Sequence, residues 1–264
     1  MESKFYQCVQ NDNINGNILD TIWAIRQADF DGVFVQIYDN PFWSVTQEEQ
    51  VALCKKLNMP ILFAHLGYYL IDDMWQEGEE GDRRQALYMQ DIDYCHKNDI
   101  NMVVMHVCSN RKNGAPNRIG LKRYQEIVDY ASSLGVKVAF ENTKNLEYFE
   151  YIVDNIKGDN AGVCLDSGHY HCFYENEFDW DKVKDKILAV HLHDNNGKDD
   201  QHLNIFDGNL DWEALESRLE EAGYNGPITL ESFYSEAYKG VNLNDFYLDS
   251  ISRAKDLEKT VLQI

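Results

Sequence analysis

Six acidic or imidazole side chains stand at the C-terminal ends of six successive apolar runs of this chain. They are His65, His106, Glu141, Asp166, His191 and Glu231. Each run has the length and β-branched content of a buried parallel strand. A polar side chain at the end of such a strand is costly unless it has a partner. Because imidazoles and carboxylates together form a ligand set, the pattern predicts a divalent metal site.

Four of these residues end the last four of eight predicted strands, which would be neighbours in a sheet: Glu141, Asp166, His191 and Glu231. Three carboxylates and one imidazole form a hard site rich in oxygen. Such a site suits Mn²⁺, Zn²⁺, Co²⁺ or Mg²⁺ and leaves coordination positions for substrate oxygens. A single strand-end carboxylate is often only a helix cap or an ion-pair member. The set of four is what favours one bound metal ion.

Six further side chains are candidates for an additional metal or for substrate: His65, His106, His169, His193, Asp200 and His202. His169 follows Asp166 by three residues, where it would reach a second metal or a substrate hydroxyl. His191 and His193 are two residues apart and therefore share one face of a strand. This spacing leaves open which of the two would bind the metal.

Aromatic residues follow the predicted strands where a substrate would enter. Trp43 comes after the second strand and Tyr68 after the third. Flat apolar rings with a hydroxyl or indole donor are suited to walling a sugar, so we expect both residues to contact substrate. Ordinary loop packing is the alternative for each of them.

The elements that must position these residues alternate regularly along the chain. Eight strand-like runs, separated by charged amphipathic stretches, begin at Lys4, Gly32, Pro60, Asn101, Lys137, Ala161, Ile187 and Pro227. This alternation predicts an α/β fold, and eight repeats in one domain of residues 1–264 predict a single (β/α)₈ TIM barrel, whose active sites lie at the C-terminal ends of the strands. An open doubly wound sheet is the alternative, but it usually has a Gly-rich loop after its first strand, and that segment here is a poor match.

Composition restricts the partners of the protein. The formal net charge is −21, which argues against binding to nucleic acid, because such binding depends on Lys and Arg contacts to phosphate. No apolar stretch approaches the ~20 residues that a membrane span needs. The six cysteines form no CxxC pair, and the N-terminal residues do not resemble a signal peptide. We therefore expect a cytoplasmic protein without membrane contact. Homo-oligomerisation stays open.

Four segments together resemble the xylose-isomerase-like TIM barrel superfamily: AFENT, CLDSGH, VHLHDNNGKDDQHLNIFDGNLDW and GPITLES. This superfamily contains sugar phosphate isomerases and epimerases and is related to the abasic-site endonuclease family 2. The resemblance implies one metal held by Glu141, Asp166, His191 and Glu231, and it favours His191 over His193. It also implies that Glu141 and Glu231 are the catalytic acid/base pair and that His169 contacts the substrate.

The endonuclease branch of this superfamily uses three zinc ions and nine ligands. The resemblance places those ligands at His65, His106, Glu141, Asp166, His169, His191, Asp200, His202 and Glu231. All nine residue types are present, so up to three Zn²⁺ ions are implied if the chain belongs to that branch. One departure is the segment IFDGN, where many relatives carry a Gly-x-Gly element.

These observations predict a divalent-metal-dependent isomerase or epimerase of a small-molecule sugar or sugar phosphate. Glu141 and Glu231 would transfer protons through a metal-stabilised enediolate. The alternatives are a dehydratase of a keto-inositol type, a multinuclear zinc phosphodiesterase, and a binding role without catalysis. The acidic surface argues against the phosphodiesterase.

Overall fold

A computed structural model describes residues 4–9, 17–37, 45–109 and 114–261 and contains eight parallel strands. These strands are β1 Phe5–Cys8, β2 Gly32–Ile37, β3 Ile61–Leu66, β4 Met102–Met105, β5 Lys137–Glu141, β6 Ala161–Asp166, β7 Ile187–His191 and β8 Ile228–Leu230. The sheet runs without interruption from β7 through β1 to β8. Leu192, just beyond β7, bridges to Leu230 in β8 and joins the two ends of the sheet. The predicted TIM barrel is confirmed.

Helices lie between the strands in the described part of the chain. They are α1 Ile18–Gln27, α2 Gln47–Lys56, α3 Glu79–Lys97, α4 Arg118–Ser133, α5 Leu146–Asn155, α6 Ser167–His169, α7 Trp180–Val183, α8 Trp212–Glu221 and α9 Leu243–Val261. The start of α2 is fixed by a capping box between Thr46 and Glu49. Asp29, Asn58 and Asp99 have left-handed backbones just after α1, α2 and α3, where the chain turns into the next strand.

The barrel is filled by a small apolar cluster that is separate from the larger core between strands and helices. Its buried members are Cys8, Phe34, Phe63, Val104, Ala139, Cys164 and Ala189. Phe34 and Phe63 stack with their ring centroids 4.6 Å apart. Because side chains alternate along a strand, the next inward position after Ala139 in β5 is Glu141, and after Cys164 in β6 it is Asp166. This apolar cluster therefore lies directly below the polar side chains at the strand ends.

The loops after β3 and β4 are tied to each other and to α4. The indole Nε1 of Trp75 donates to the carbonyl of Val107 at 2.6 Å. The Arg123 guanidinium donates to the carbonyls of Met74 at 2.8 Å and Gln76 at 2.5 Å. These contacts hold the loop after β3 as one wall of the barrel mouth. Among the described residues, no helix combines the length and apolar character needed to cross a bilayer.

Candidate metal centre

The four core residues predicted from the sequence lie together at the C-terminal mouth of the barrel. Glu141, Asp166 and His191 are the last residues of β5, β6 and β7, and Glu231 directly follows β8. All four side chains are buried. Each offers an oxygen or nitrogen atom, and these four atoms lie within 4.8 Å of one another. The barrel thus brings three carboxylates and one imidazole from four neighbouring strands to one point.

His191 lies at the centre of this group. Its Nδ1 is 3.5 Å from Oε2 of Glu141, 3.4 Å from Oε2 of Glu231 and 3.9 Å from Oδ2 of Asp166. The ring lies flat on Phe34, with 4.9 Å between centroids and 6° between planes. Neither ring nitrogen has a hydrogen-bond partner among the described residues, although both are buried. A buried imidazole that faces three carboxylates without a hydrogen bond fits a site for a divalent cation.

Glu141 also belongs to a second group, formed with two histidines. Its Oε2 is 3.0 Å from Nε2 of His65 and 3.3 Å from Nε2 of His106. The other ring nitrogen of His65 lies 2.9 Å from the carbonyl of Leu66, which orients that ring. The three residues form a second group able to hold a metal ion, and Glu141 is common to both groups.

A third group surrounds Asp200 in the loop after β7. Its Oδ2 is 3.1 Å from Nε2 of His169 and 3.4 Å from Nε2 of His202. Nε2 of His193 lies 3.9 Å from Oδ1 of Asp200. His202 has a left-handed backbone with φ of 48°, an unusual conformation for a non-glycine residue and one that is often found at functional sites. All six additional candidates from the sequence therefore lie around the same mouth.

The two glutamates have opposite electrostatic surroundings. Burial, together with the Glu141 and Asp166 carboxylates, raises the pKa of Glu231 well above its ordinary value. Burial also acts to raise the pKa of Glu141, but the nearby His106 and His191 rings outweigh it and hold that pKa well below its ordinary value. There is therefore a range of pH in which Glu231 retains a proton while Glu141 is ionised.

Aromatic rings surround the histidines at the rim. Tyr68 stacks on His106 at 4.5 Å between centroids and is 48% exposed, so one side of it is open to solvent. Phe233 stacks on His202 at 4.1 Å, and Phe173 stacks on His169 at 5.6 Å. Trp43, the other aromatic residue predicted to contact substrate, lies outside the described residues.

Sequence reasoning missed several residues that hold the site. The side chain of Asn142 bonds both main-chain groups of Asp166, at 2.6 and 2.9 Å. Ser167 and Asp194 similarly fix the segments on either side of the centre. Phe173 was also missed, although it follows His169 by four residues in a helical segment. That spacing brings two side chains together on one face, so it was a usable signal.

Comparison with known proteins identifies the family of this chain. A model of the xylose isomerase-like TIM barrel family matches residues 22–257. An inosose isomerase of Halalkalibacterium halodurans is 30% identical over 130 residues, 43% of this chain and 45% of that protein. A probable endonuclease 4 of Mycoplasma capricolum is 28% identical over 151 residues, 48% of this chain and 52% of that protein. The chain spans about half the length of the curated relatives it matches.

Two solved structures match almost the whole fold. A D-tagatose 3-epimerase-like protein superposes with a TM-score of 0.77 and 22% identity, covering 98% of each chain. The IolI protein, solved with a bound zinc atom, superposes with a TM-score of 0.76 and 16% identity, covering 99% of this chain and 100% of that one. At these identities the two structures show the shared fold.

Proposed function

Because the chain belongs to the xylose isomerase-like TIM barrel family, we propose that it is a divalent-metal-dependent isomerase or epimerase of a ketose or ketose phosphate. The observation that carries this proposal is the group Glu141, Asp166, His191 and Glu231, whose ligand atoms lie within 4.8 Å of one another. The inosose isomerase relative and the epimerase-like neighbour support this class of substrate. The zinc atom bound in the IolI structure supports metal binding by a protein of this fold.

Glu141, Asp166, His191 and Glu231 would together hold the cation at the C-terminal mouth of the barrel. When bound there, a divalent cation polarises the carbonyl of a ketose and makes the adjacent C–H bond more acidic. The side chains of the protein orient the substrate and transfer its protons. His65 Nε2 and His106 Nε2, at 3.0 and 3.3 Å from Glu141, fix the orientation of that carboxylate.

Glu141 and Glu231 are suited to moving the carbon-bound proton. They extend from β5 and β8, which lie on different parts of the barrel wall, so they reach a substrate between them from different directions. One carboxylate removes the proton as general base, and the other delivers a proton as general acid.

His169 is suited to stabilising the oxygen on which negative charge develops. Its Nε2 is 3.1 Å from Asp200, and its Nδ1 lies 3.3 Å from Oε1 of Glu141 without a hydrogen-bond partner among the described residues. Asp166 and Asp200 raise the pKa of His169 well above its ordinary value, although burial alone would lower it. A protonated ring at this position donates to an oxyanion. Tyr68, Phe173 and Phe233 would wall the substrate.

Solvent deuterium uptake tests this proposal. The metal-loaded protein is incubated in D₂O with a panel of ketoses and ketose phosphates, and deuterium in the carbon skeleton is measured by mass spectrometry. We expect deuterium at the carbon beside the carbonyl of the true substrate. Glu141→Gln and Glu231→Gln should each lower the rate by at least about 10²-fold. Glu213→Gln, on the exposed surface of α8, is the matched control and should not change it.

Two outcomes would overturn the assignment. Unchanged turnover in both glutamine variants would show that these carboxylates are not the acid/base pair. Loss of water from a keto-inositol, with accumulation of the dehydrated product, would assign the same site to a dehydratase.

A multinuclear zinc phosphodiesterase is a second candidate. It is supported by the four groups of candidate ligands around one mouth and by the endonuclease 4 relative. The net charge of −21 argues against it, because phosphodiester backbones are attracted by Lys and Arg. A metal content near three per chain, with cleavage of duplex DNA at an abasic site, would select this function. A content near one would select the isomerase.

A further inference from the structure

His193 makes an unusual contact with one of the four core residues. Its Nε2 lies 3.1 Å from Oδ1 and 3.1 Å from Oδ2 of Asp166, so it is equidistant from the two carboxylate oxygens. Both side chains are fully buried. A cation that binds a carboxylate through both oxygens takes this same equidistant position. His193 therefore occupies the place from which Asp166 would bind a metal in a bidentate manner.

The ring of His193 is held firmly in this place. Ser167 Oγ donates to the carbonyl of His193 at 2.7 Å and accepts from its amide at 2.9 Å. Gly168 lies against the edge of the ring, and a Cβ there would be 2.0 Å from Cε1 of His193. His202 stacks on the ring face at 4.0 Å. The imidazole is thus fixed by main-chain bonds, a close glycine and a stacked ring.

The hydrogen-bond pattern determines which nitrogen carries the proton. Nδ1 of His193 is buried and has no hydrogen-bond partner among the described residues. Nε2 faces only acceptor oxygens of Asp166 and Asp200. The neutral tautomer with its proton on Nε2 satisfies the ring without burying an unpaired N–H. His193 therefore donates to Asp166, and this same nitrogen has no free lone pair for a metal.

The other contacts of Asp166 leave one oxygen facing the centre. Oδ1 accepts from the amide of His169 at 2.6 Å. Oδ2 faces Nδ1 of His191 at 3.9 Å. The main chain of Asp166 is fixed separately by Asn142. The carboxylate therefore cannot rotate freely, and Oδ2 is the oxygen that it presents to His191.

We infer that His193 is a positioning residue for the metal: by donating to both oxygens of Asp166 it would prevent this carboxylate from holding an ion through both of them. Asp166 would then hold the ion through Oδ2, and a coordination position would stay free for a substrate oxygen. The inference rests on the proposed function. It also separates the two histidines of the HLHD segment, because His191 faces the other core residues while His193 supports Asp166 from behind. Hydrogen bonds of this kind from outside the ligand shell commonly alter metal affinity by 10–100-fold.

Metal affinity, measured without any substrate, tests this role. The probe is Co²⁺ alone, titrated against a chelator, because its visible absorption also reports the coordination number. His193→Phe keeps a flat ring between Gly168 and His202 but removes the donor. We expect it to weaken Co²⁺ binding by about 10–100-fold and to change the visible bands, with the number of bound ions unchanged. His193→Gln restores a donor and should recover part of the affinity.

Two further variants complete the test. His96→Gln, an exposed histidine near the end of α3, is the matched control and should bind Co²⁺ like the wild type. Ser167→Ala leaves the imidazole in place but removes the side chain that orients it, so it tests the idea even if His193→Phe does not fold. We expect weaker Co²⁺ binding in Ser167→Ala as well.

The outcomes are distinguishable. Equal affinity and equal spectra in the wild type and in the folded His193 or Ser167 variants would overturn the positioning role and leave the proposed function intact. Loss of one bound ion in His193→Phe would also overturn it and would make His193 a direct ligand of a second ion. Absence of Co²⁺, Mn²⁺ and Zn²⁺ binding by the wild type would overturn the proposed function itself.

Discussion

The indole Nε1 of Trp212 donates a hydrogen bond to Oδ2 of Asp194 at 2.9 Å. This bond joins the two ends of the loop between β7 and α8. The buried Asp194 carboxylate also accepts from the amides of Asn195 at 2.8 Å and Leu210 at 3.2 Å. Its main chain pairs with Leu203. The segments HLHD and LDW are therefore the two ends of a closed loop, and this loop carries Asp200 and His202 to the mouth.

Trp212→Phe should destabilise the protein because it leaves a buried carboxylate with one donor fewer. Hydrogen bonds to charged groups contribute about 1.5–3 kcal/mol, so we expect the free energy of unfolding to fall by this amount. Urea denaturation measures it. Trp23→Phe is the matched control, since Trp23 is 45% exposed, and it should change stability by less than about 0.5 kcal/mol. Equal effects of the two substitutions would contradict the loop-closing role of Trp212.

Metal binding should release protons from the centre. Burial and neighbouring carboxylates raise the pKa of Glu231 in the metal-free protein, so this residue holds a proton at pH values where a free glutamate is ionised. A metal ligand must be deprotonated, and the apparent metal affinity should therefore rise with pH until Glu231 is ionised without metal. Calorimetric titration with Zn²⁺ in two buffers of different ionisation enthalpy counts the protons. Glu231→Gln should release one proton fewer, and an unchanged count would refute this assignment.

Arg123→Met should loosen the wall formed by the loop after β3. Its guanidinium is almost fully buried and donates to the carbonyls of Met74 and Gln76. The bond to the Met74 carbonyl is buried, and a buried carbonyl left without a donor costs about 1–3 kcal/mol. Urea denaturation should show a loss of at least this size, and limited proteolysis should cut within residues 68–78. Arg83→Met, which removes only an exposed ion pair with Glu80, should do neither. A stable, protease-resistant Arg123→Met protein would be evidence against the clamp.

Tyr68→Ala should impair substrate binding more than the chemical step. Tyr68 covers His106 with one ring face and leaves the other open at the mouth. A wall residue contributes similarly to binding of the substrate and of the transition state, so its loss raises KM more than it lowers kcat. Tyr68→Phe keeps the ring and should be affected less. Tyr69→Ala, 70% exposed beside it, is the control. A fall in kcat with unchanged KM would instead place Tyr68 in the chemistry.

Much of the fold could be predicted from the sequence because strands and sites in this barrel leave a periodic signal. Apolar runs identified all eight strands, and the polar residue ending each run identified Glu141, Asp166 and His191 as neighbours. The joint position of these residues follows from topology, since the C-terminal ends of parallel strands meet at one face. The meeting of these residues can therefore be predicted without knowing their side-chain rotamers.

Other features depend on details that spacing does not encode. His191 and His193 have equivalent positions by spacing, and it is the contact of His193 Nε2 with both oxygens of Asp166 that separates them. Ser167 and Gly168 hold the His193 ring in that place. The IFDGN segment is a second case. Phe206 takes a left-handed backbone with φ of 71°, a conformation that favours glycine, so the loop forms without a first glycine. A Cβ at Gly208 would lie 2.2 Å from Asp194, which explains why a glycine stands there.

The proposed metal centre is tested most simply by a crystal structure of the metal-loaded protein, with anomalous diffraction measured at the absorption edge of the bound metal. We expect an anomalous peak within bonding distance of Glu141, Asp166, His191 and Glu231, with Asp166 bound through Oδ2. A peak that none of these four side chains reaches, or full loading of the protein without a peak at this mouth, would contradict it.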